Sequence, residues 1–543
     1  MNIRRLIYLA IALPMISCCN GSGTEEAFKA DAPVLVSTEP ATGATGVAIS
    51  TKEVVFTFDQ NIKILAADQS KVSITGGAEI TKTAAYSKNV TVSITGLDYG
   101  KQYDVSIPAG VVQGYKDNQE AAAAASVSFT TEAAQVDPGT DERLSDVAWN
   151  LAAKMGLGWN MGNHMDAFYN GTWAGDNFLM PNETCWGAQP ATQATFDGVK
   201  AAGFKSVRIP ITWLKKIGPA PDYTIDAAWL NRVAEIVGYA EKAGLYVIIN
   251  THHDENHHSI KENGKDLDTR WLDILGASKS SEVNESIKKE ITAVWTQIAE
   301  KFKDKGEWLI FESFNELNDG GWGWSASFRA NPSIQCNILN EWNQVFVDAV
   351  RATGGNNATR WLGVPTYAAN PSFVDYLTLP KDDAGKIMVS VHFYDPSEYT
   401  IGDSQYSDWG HTGDAAKKAS GGDEDHVRSI FGKLTADYVN KGIPVYVGEF
   451  GCSMRSKSDT RAWAFFKYYM EYIVKAAKTY GLPPFLWDNG ATGSGQEHHG
   501  YINHGTGGYI GNSKEIVDLI VNTMNNESEG YTLETVYNKA PKF

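Results

Sequence analysis

The sequence predicts two folded parts, a (β/α)8 barrel over residues 142–543 preceded by a small all-β sandwich over residues 33–131. In the longer part, eight short apolar runs alternate with amphipathic helical stretches. Nearly continuous apolar strands of this kind belong to parallel sheets covered on both faces. Six of the eight runs end in ionisable or aromatic residues, all at the carboxyl end, where barrels of this type carry their sites. Upstream, five β-branched runs with period-2 alternation are separated by Gly, Asp and Asn turns, as in a sandwich.

The composition agrees with this division. A chain of 543 residues exceeds what one core usually holds, and 43% apolar residues supply ample core material. A formal charge of −17 argues against nucleic acid or an anionic membrane surface as partner, since both need a positive patch. A neutral ligand such as a glycan is compatible with it, and 16 Trp exceed what a core needs.

At the amino terminus, Arg4 and Arg5 precede an apolar run, Leu6 to Ile16, too short to span a bilayer, and Ser17-Cys18-Cys19 follows. This stretch resembles a bacterial lipoprotein signal over residues 1–18, with Cys18, after the small Ser17, as the lipidated residue in preference to Cys19. The alternative is an ordinary secretory signal. Residues 19–32 read as a tether. The lipid anchor is then the chain's one link to a membrane, and the expected location is the bacterial cell envelope, at the outer-membrane surface, or the medium. Cys185, Cys336 and Cys452 are too few and too widely spaced for a disulfide framework and fit no zinc motif.

The sandwich strands are read at Val54–Phe58, Lys71–Thr75, Val90–Ile94, Tyr103–Ile107 and Val127–Thr130. With Pro40-Ala-Thr-Gly-Ala-Thr-Gly-Val47 ahead of them, they resemble the bacterial Ig-like modules of surface proteins. The module has no Trp, so a spacer is favoured over a sugar-binding role. Residues 132–141, with Asp137-Pro-Gly, form a linker.

The barrel strands are read at Met155–Gly162, Lys205–Pro210, Tyr246–Thr251, Leu309–Asn315, Trp361–Thr366, Ile387–His392, Pro444–Phe450 and Pro483–Asn489. Helices between them include Ala227–Ala243, Ile287–Phe302, Ile338–Arg351 and Arg461–Tyr480. In the second of these, Ile287, Ile291, Val294, Trp295, Ile298 and Phe302 share one face. The fourth strand hands over Asn315-Glu316 and the seventh Glu449. Two carboxylates at strand tips are the minimum for acid/base cleavage of a glycosidic bond.

The tips carry a set of ordered motifs. They are Gly158-Trp-Asn-Met-Gly-Asn163, Val207-Arg-Ile-Pro-Ile-Thr-Trp213, Ile248-Ile-Asn-Thr-His-His253 and Phe314-Asn-Glu316, then Val391-His-Phe-Tyr394, Gly448-Glu-Phe-Gly451 and Leu486-Trp487. On these seven motifs the region from Asp141 to Phe543 resembles glycoside hydrolase family 5, a family of TIM barrels. Glu183-Thr-Cys-Trp-Gly187 and Gly203-Phe-Lys-Ser-Val-Arg208 suggest its subfamily 4, the endoglucanase and xyloglucanase branch.

The resemblance implies a retaining mechanism with Glu316 as acid/base and Glu449 as nucleophile, no cofactor, and Asn163 among the substrate contacts. Arg208 suits keeping Glu449 ionised, with Tyr394 donating a hydrogen bond to it. Asn315 suits a contact to the sugar 2-hydroxyl. His252, His253 and His392 suit orienting hydroxyls or carboxylates, and Trp487 suits an aromatic floor for the ring. Trp186 and Trp173 after the first strand, and Asp319-Gly-Gly-Trp-Gly-Trp324 after the fourth, offer stacking platforms, with Trp324 and Trp186 assigned to substrate.

The expected activity is endo-cleavage of β-1,4-glucans such as cellulose, mixed-linkage β-glucan, xyloglucan or glucomannan, by a monomer. A β-mannanase and a non-catalytic surface glycan-binding protein are the alternatives. The run His252-His253-Asp-Glu-Asn-His257-His258 raises a metal-dependent hydrolase, but it lacks the His-Glu-x-x-His spacing on a helix. The roles of His257, His258, His498 and His499 stay open.

Overall fold

The computed structural model describes residues 31–49, 51–98, 100–116, 120–131, 145–258, 261–262, 265–402 and 406–543. The signal segment with Cys18, nearly all of the tether and the linker lie outside them. Two compact units divide the chain, one up to residue 134 and one from residue 135.

The first unit is a sandwich of two four-stranded sheets. One sheet runs in the order Leu35–Glu39, Glu53–Phe58, Asn89–Thr95, Glu79–Tyr86, and the other Ala44–Val47, Ala125–Thr131, Gln102–Ile107, Ser73–Ile74. Alternating residues such as Val54, Phe56, Phe58, Val90, Val92, Tyr103, Val105 and Phe129 fill the space between them. Sequence patterning missed Leu35–Glu39, Glu79–Tyr86 and Ala44–Val47, because these strands are largely exposed and do not alternate. A short pair, Ile62–Ile64 with Val112–Gly114, also escaped it.

The second unit is a closed parallel barrel of eight strands. They are β1 (Gly158–Asn160), β2 (Ser206–Ile209), β3 (Tyr246–Ile249), β4 (Leu309–Glu312), β5 (Leu362–Pro365), β6 (Ile387–Phe393), β7 (Val445–Phe450) and β8 (Pro484–Leu486). All eight expected strands are present, mostly shorter, because the polar tips leave the ladder to enter the site. The helices extend beyond their apolar stripes. Ser280 caps Ser281–Lys301 by accepting from the Val283 N–H, and Pro332 starts Pro332–Ala352, where its missing N–H costs nothing.

Strand alternation sorts the barrel side chains. Outward residues such as Val207, Ile209, Val247, Ile249, Phe311, Val389 and Val447 join the helix layer in the main core. Inward residues Ile248, Ile310, Met388, Tyr446 and Phe485 form an apolar floor, closed by Leu151 and Met155 of the helix Val147–Met155. Above that floor the inward positions turn polar: Asn160, Arg208, Glu312 and Ser390 are all fully buried. A charged residue in the middle of an apolar strand therefore belongs to a polar layer directly beneath the site.

Candidate active site

Arg208 organises the site. It projects from β2 with no exposure and donates to four acceptors. Its Nη1 reaches Glu449 Oε1 at 2.7 Å and Asn160 Oδ1 at 3.1 Å, its Nη2 reaches Asn315 Oδ1 at 2.7 Å, and its Nε reaches Glu312 Oε2 at 2.8 Å. Burial opposes its charge, but Glu312 and Glu449 more than offset that and hold it firmly protonated. Because guanidinium only donates, Asn315 must present its amide oxygen to Arg208, which leaves its NH2 for the cleft.

Glu449 sits near the end of β7, 5% exposed. Its second oxygen accepts from the Tyr394 hydroxyl at 3.0 Å. Glu316 lies four residues past the end of β4. Its Oε1 is 2.7 Å from His392 Nδ1, and its Oε2 accepts a long 3.4 Å contact from the Trp322 indole N–H. One oxygen from each carboxylate and a nitrogen of His392 lie within 4.8 Å of one another. Burial opposes the charge on both carboxyls, against the pull of His392 and Arg208 on Glu449 and of His392 on Glu316. Two carboxylates this close titrate as a pair, sharing one proton over a range of pH.

A cleft of about 870 Å³ contains both carboxylates and is lined by residues from the ends of seven of the eight strands. Asn163, His252, His253, Asn315, His392, Tyr394, Trp324 and Trp487 all face it, as the sequence suggested. Trp487 lies parallel to the His252 ring, 3° between planes. It can do so because Gly162 leaves room: a Cβ there would come within 2.6 Å of the indole. Burial holds His252 neutral by drawing its pKa well below the usual imidazole range.

Trp186 departs from expectation. It is not among the cleft residues; its N–H donates to the Phe168 carbonyl and its ring packs on Phe168, Leu179 and Leu214, 5.7 Å from His253. It packs beside His253, outside the cleft lining. Trp173 is exposed and also outside the cleft. His258 pairs with Asp273 at 2.9 Å, whereas His257 meets Glu255 at 3.2 Å and packs against Trp322. Near His499, which burial keeps neutral with a pKa of about 3, the cleft residue is the neighbouring Glu497.

Two residues at the site, Glu312 and Glu497, escaped sequence reading, and a third, Trp322, was read only as part of the Asp319–Trp324 run. Glu312 lies inside the β4 run, and only strand alternation, inward for 310 and 312, could have marked it. Trp322, two residues before Trp324, is the Trp that touches Glu316. Glu497 stands at φ +57° in the loop after β8, and burial beside Glu449 and Glu316 raises its pKa. Asp166, His252 and His253 also bring ligand-type atoms within 4.8 Å, but Asp166 already accepts the Asn163 and His164 N–H groups and His252 Nδ1 faces Asn250.

Comparison with known proteins is consistent with this geometry. The family model described as Cellulase (glycosyl hydrolase family 5) matches residues 170–493. The chain belongs to glycosyl hydrolase family 5. A bacterial Ig-like domain model matches residues 29–131, ahead of the family 5 domain. Endoglucanase A of Paenibacillus barcinonensis is 37% identical over 397 residues, 70% of this chain and 90% of that protein. A xyloglucan-specific endo-beta-1,4-glucanase of Bacteroides ovatus is 33% identical over 353 residues, 63% of this chain and 65% of that protein. Among solved structures, a GH5-4 broad specificity endoglucanase from Bacteroides salanitronis is 47% identical, with TM-score 0.65, covering 72% of this chain and 98% of that one.

Proposed function

We propose that the family 5 domain is a retaining endo-β-1,4-glucanase acting on plant cell-wall glucans. The observation that carries the mechanism is the approach of Glu316 and Glu449 oxygens to within 4.8 Å. Retaining sites set their carboxyl groups about 5 Å apart, whereas inverting ones leave roughly 6.5–9.5 Å for a water. Glu449 is the nucleophile. Its oxygens accept from a permanent cation and a phenol, so in the coupled pair it is the member that ionises, whatever each carboxyl would do alone. Glu316, held by an imidazole and a long indole contact, keeps the shared proton and delivers it to the leaving oxygen. In the second step Glu316 takes a proton from the water that releases the glycosyl enzyme. The free NH2 of Asn315 is set to bond the 2-hydroxyl, and Trp487 to floor the ring.

The cleft's lining is in keeping with endo-action: besides the carboxylates it includes Trp322, Trp324, Asn370–Ser372, Ser397 and His426. The likeness to a broad specificity endoglucanase and to a xyloglucan-specific endo-beta-1,4-glucanase supports a glucan chain as substrate.

A panel of carboxymethyl-cellulose, barley β-glucan, xyloglucan, glucomannan and galactomannan, with product sizing, tests this. Release of mid-length oligomers early in digestion of the glucans is expected, with galactomannan hydrolysed at least about tenfold more slowly. Preference for galactomannan, or release of short products from chain ends alone, contradicts the reading. Activity in excess chelator should be unchanged; loss of activity would point to the metal-dependent alternative.

We further propose that the chain is lipid-anchored at the outer-membrane surface, on the strength of Ser17-Cys18 after the apolar run. Labelled fatty acid should enter the native chain and not Cys18→Ser. Equal labelling of both would remove the assignment.

A further inference from the structure

The polar layer beneath the cleft holds a carboxylate that the mechanism above does not use. Glu312 on β4 has no exposure. Its Oε2 accepts from Arg208 Nε and Asn250 Nδ2, each at 2.8 Å, with Arg208 Nη2 also 2.7 Å away. Its Oε1 accepts from Ser390 Oγ and Tyr446 Oη, each at 2.7 Å. Four side chains from β2, β6, β7 and the end of β3 thus converge on one anion. A buried ion pair is a poor means of stabilising a core, since an apolar group of similar volume usually does as well. What this pair does have is a position: the Arg208 guanidinium lies between Glu312 below and Glu449 above.

We propose that Glu312 is a positioning residue for the nucleophile: it fixes Arg208 against Glu449 and offsets part of its charge, so that Glu449 stays basic enough to attack. This rests on the reading of Glu449 as nucleophile. A cation shared by two carboxylates gives each a weaker field than it would give one. The charged and titratable groups facing Glu449 are Arg208 from β2, Glu316 beyond β4, His392 and Tyr394 from β6, and Glu497 from the loop after β8. Of these, Arg208 alone is bonded to Glu312 among the described residues, and His392 acts on both carboxylates through its field.

The test is the pH profile of kcat/KM on an aryl β-cellobioside, whose acid limb reports the nucleophile. In the full chain, Glu312→Gln keeps the shape and removes the charge. Arg208 then favours the Glu449 carboxylate more strongly, so the limb should move to lower pH by about half a unit or more, with a plateau roughly tenfold lower. Tyr446→Phe has the opposite sign. It takes a donor from Glu312 without changing its charge, strengthens the negative field at Arg208, and should raise the limb by about 0.3 unit.

A purely supporting role lowers Tm and the plateau but leaves the limb in place. Should Glu312→Gln not fold, Tyr446→Phe decides alone. A limb that stays at its parent position in the folded variants, or moves in the reverse direction, overturns the proposal. Glu449→Ala is the control: if it keeps near-parent activity, the retaining reading fails and this inference falls with it, before any limb is compared.

Discussion

Glu449→Ala is expected to reduce turnover of a β-glucan by roughly ten-thousand-fold or more, and azide is expected to restore part of it on an activated aryl β-cellobioside. The size follows from the role. Without the carboxylate no glycosyl enzyme forms, and water is a far poorer nucleophile than the carboxylate it would replace. Removal of the side chain leaves a space beside Arg208 Nη1 and the Tyr394 hydroxyl, both of which had been donating to Glu449. A small anion can enter that space and accept from both.

The stereochemistry then identifies the residue. Azide attacking from the side Glu449 occupied displaces the leaving group once, so the product is the α-glycosyl azide. Near-parent turnover, or a β-glycosyl azide, would remove Glu449 from the nucleophile's position. Stability is a separate readout: the variant exchanges one acceptor of Arg208 for solvent at the cleft edge, and Glu312 still pairs the cation. Tm should therefore fall far less than activity.

The sequence made the barrel legible because each strand is both apolar throughout and tipped with polar residues, two signals that reinforce each other. Glu316 and Glu449 were readable from their contexts, Asn-Glu and Gly-Glu-Phe at the ends of apolar strands, since a lone Glu after such a run is more often a solvated loop residue. The sandwich was less legible. Its edge strands, such as Glu79–Tyr86, which buries a single residue fully, have no continuous buried face, so burial imposes no alternation on them. Within the site, the missing information was which way residues point. Glu312 reads as one polar residue inside an apolar strand until the inward layer of Asn160, Arg208 and Ser390 gives it partners. Trp186 and Trp324 look equivalent as loop tryptophans. Yet Trp186 is held back by Phe168, whereas Trp324 is 76% exposed and faces the cleft. Which of two aromatic residues meets a ligand depends on tertiary packing that no local pattern carries.

Glu316→Ala should separate the two chemical steps, because its two roles depend on the substrate in different ways. As acid, Glu316 protonates the leaving oxygen, and that help matters in proportion to how poorly the group leaves unaided. Glucan hydrolysis should therefore slow by roughly a hundred- to ten-thousand-fold, while formation of the glycosyl enzyme from a dinitrophenyl β-cellobioside stays close to the parent rate. As base, Glu316 activates water in the second step for every substrate alike. The activated substrate should thus give a burst of phenolate followed by slow turnover, with KM falling as the intermediate accumulates.

Azide needs no base and should speed that second step. Because it then performs the second of two displacements, the product is the β-glycosyl azide, opposite in configuration to that from Glu449→Ala. The alkaline limb of the pH profile should also flatten: in the parent, activity falls as pH rises through the pKa of Glu316, since the acid form is the active one, and the variant has no such proton to lose. Uniform slowing of activated and natural substrates, with no burst, would assign the proton to another group. His392, 2.7 Å from Glu316 and 3.6 Å from Glu449, is the nearest candidate.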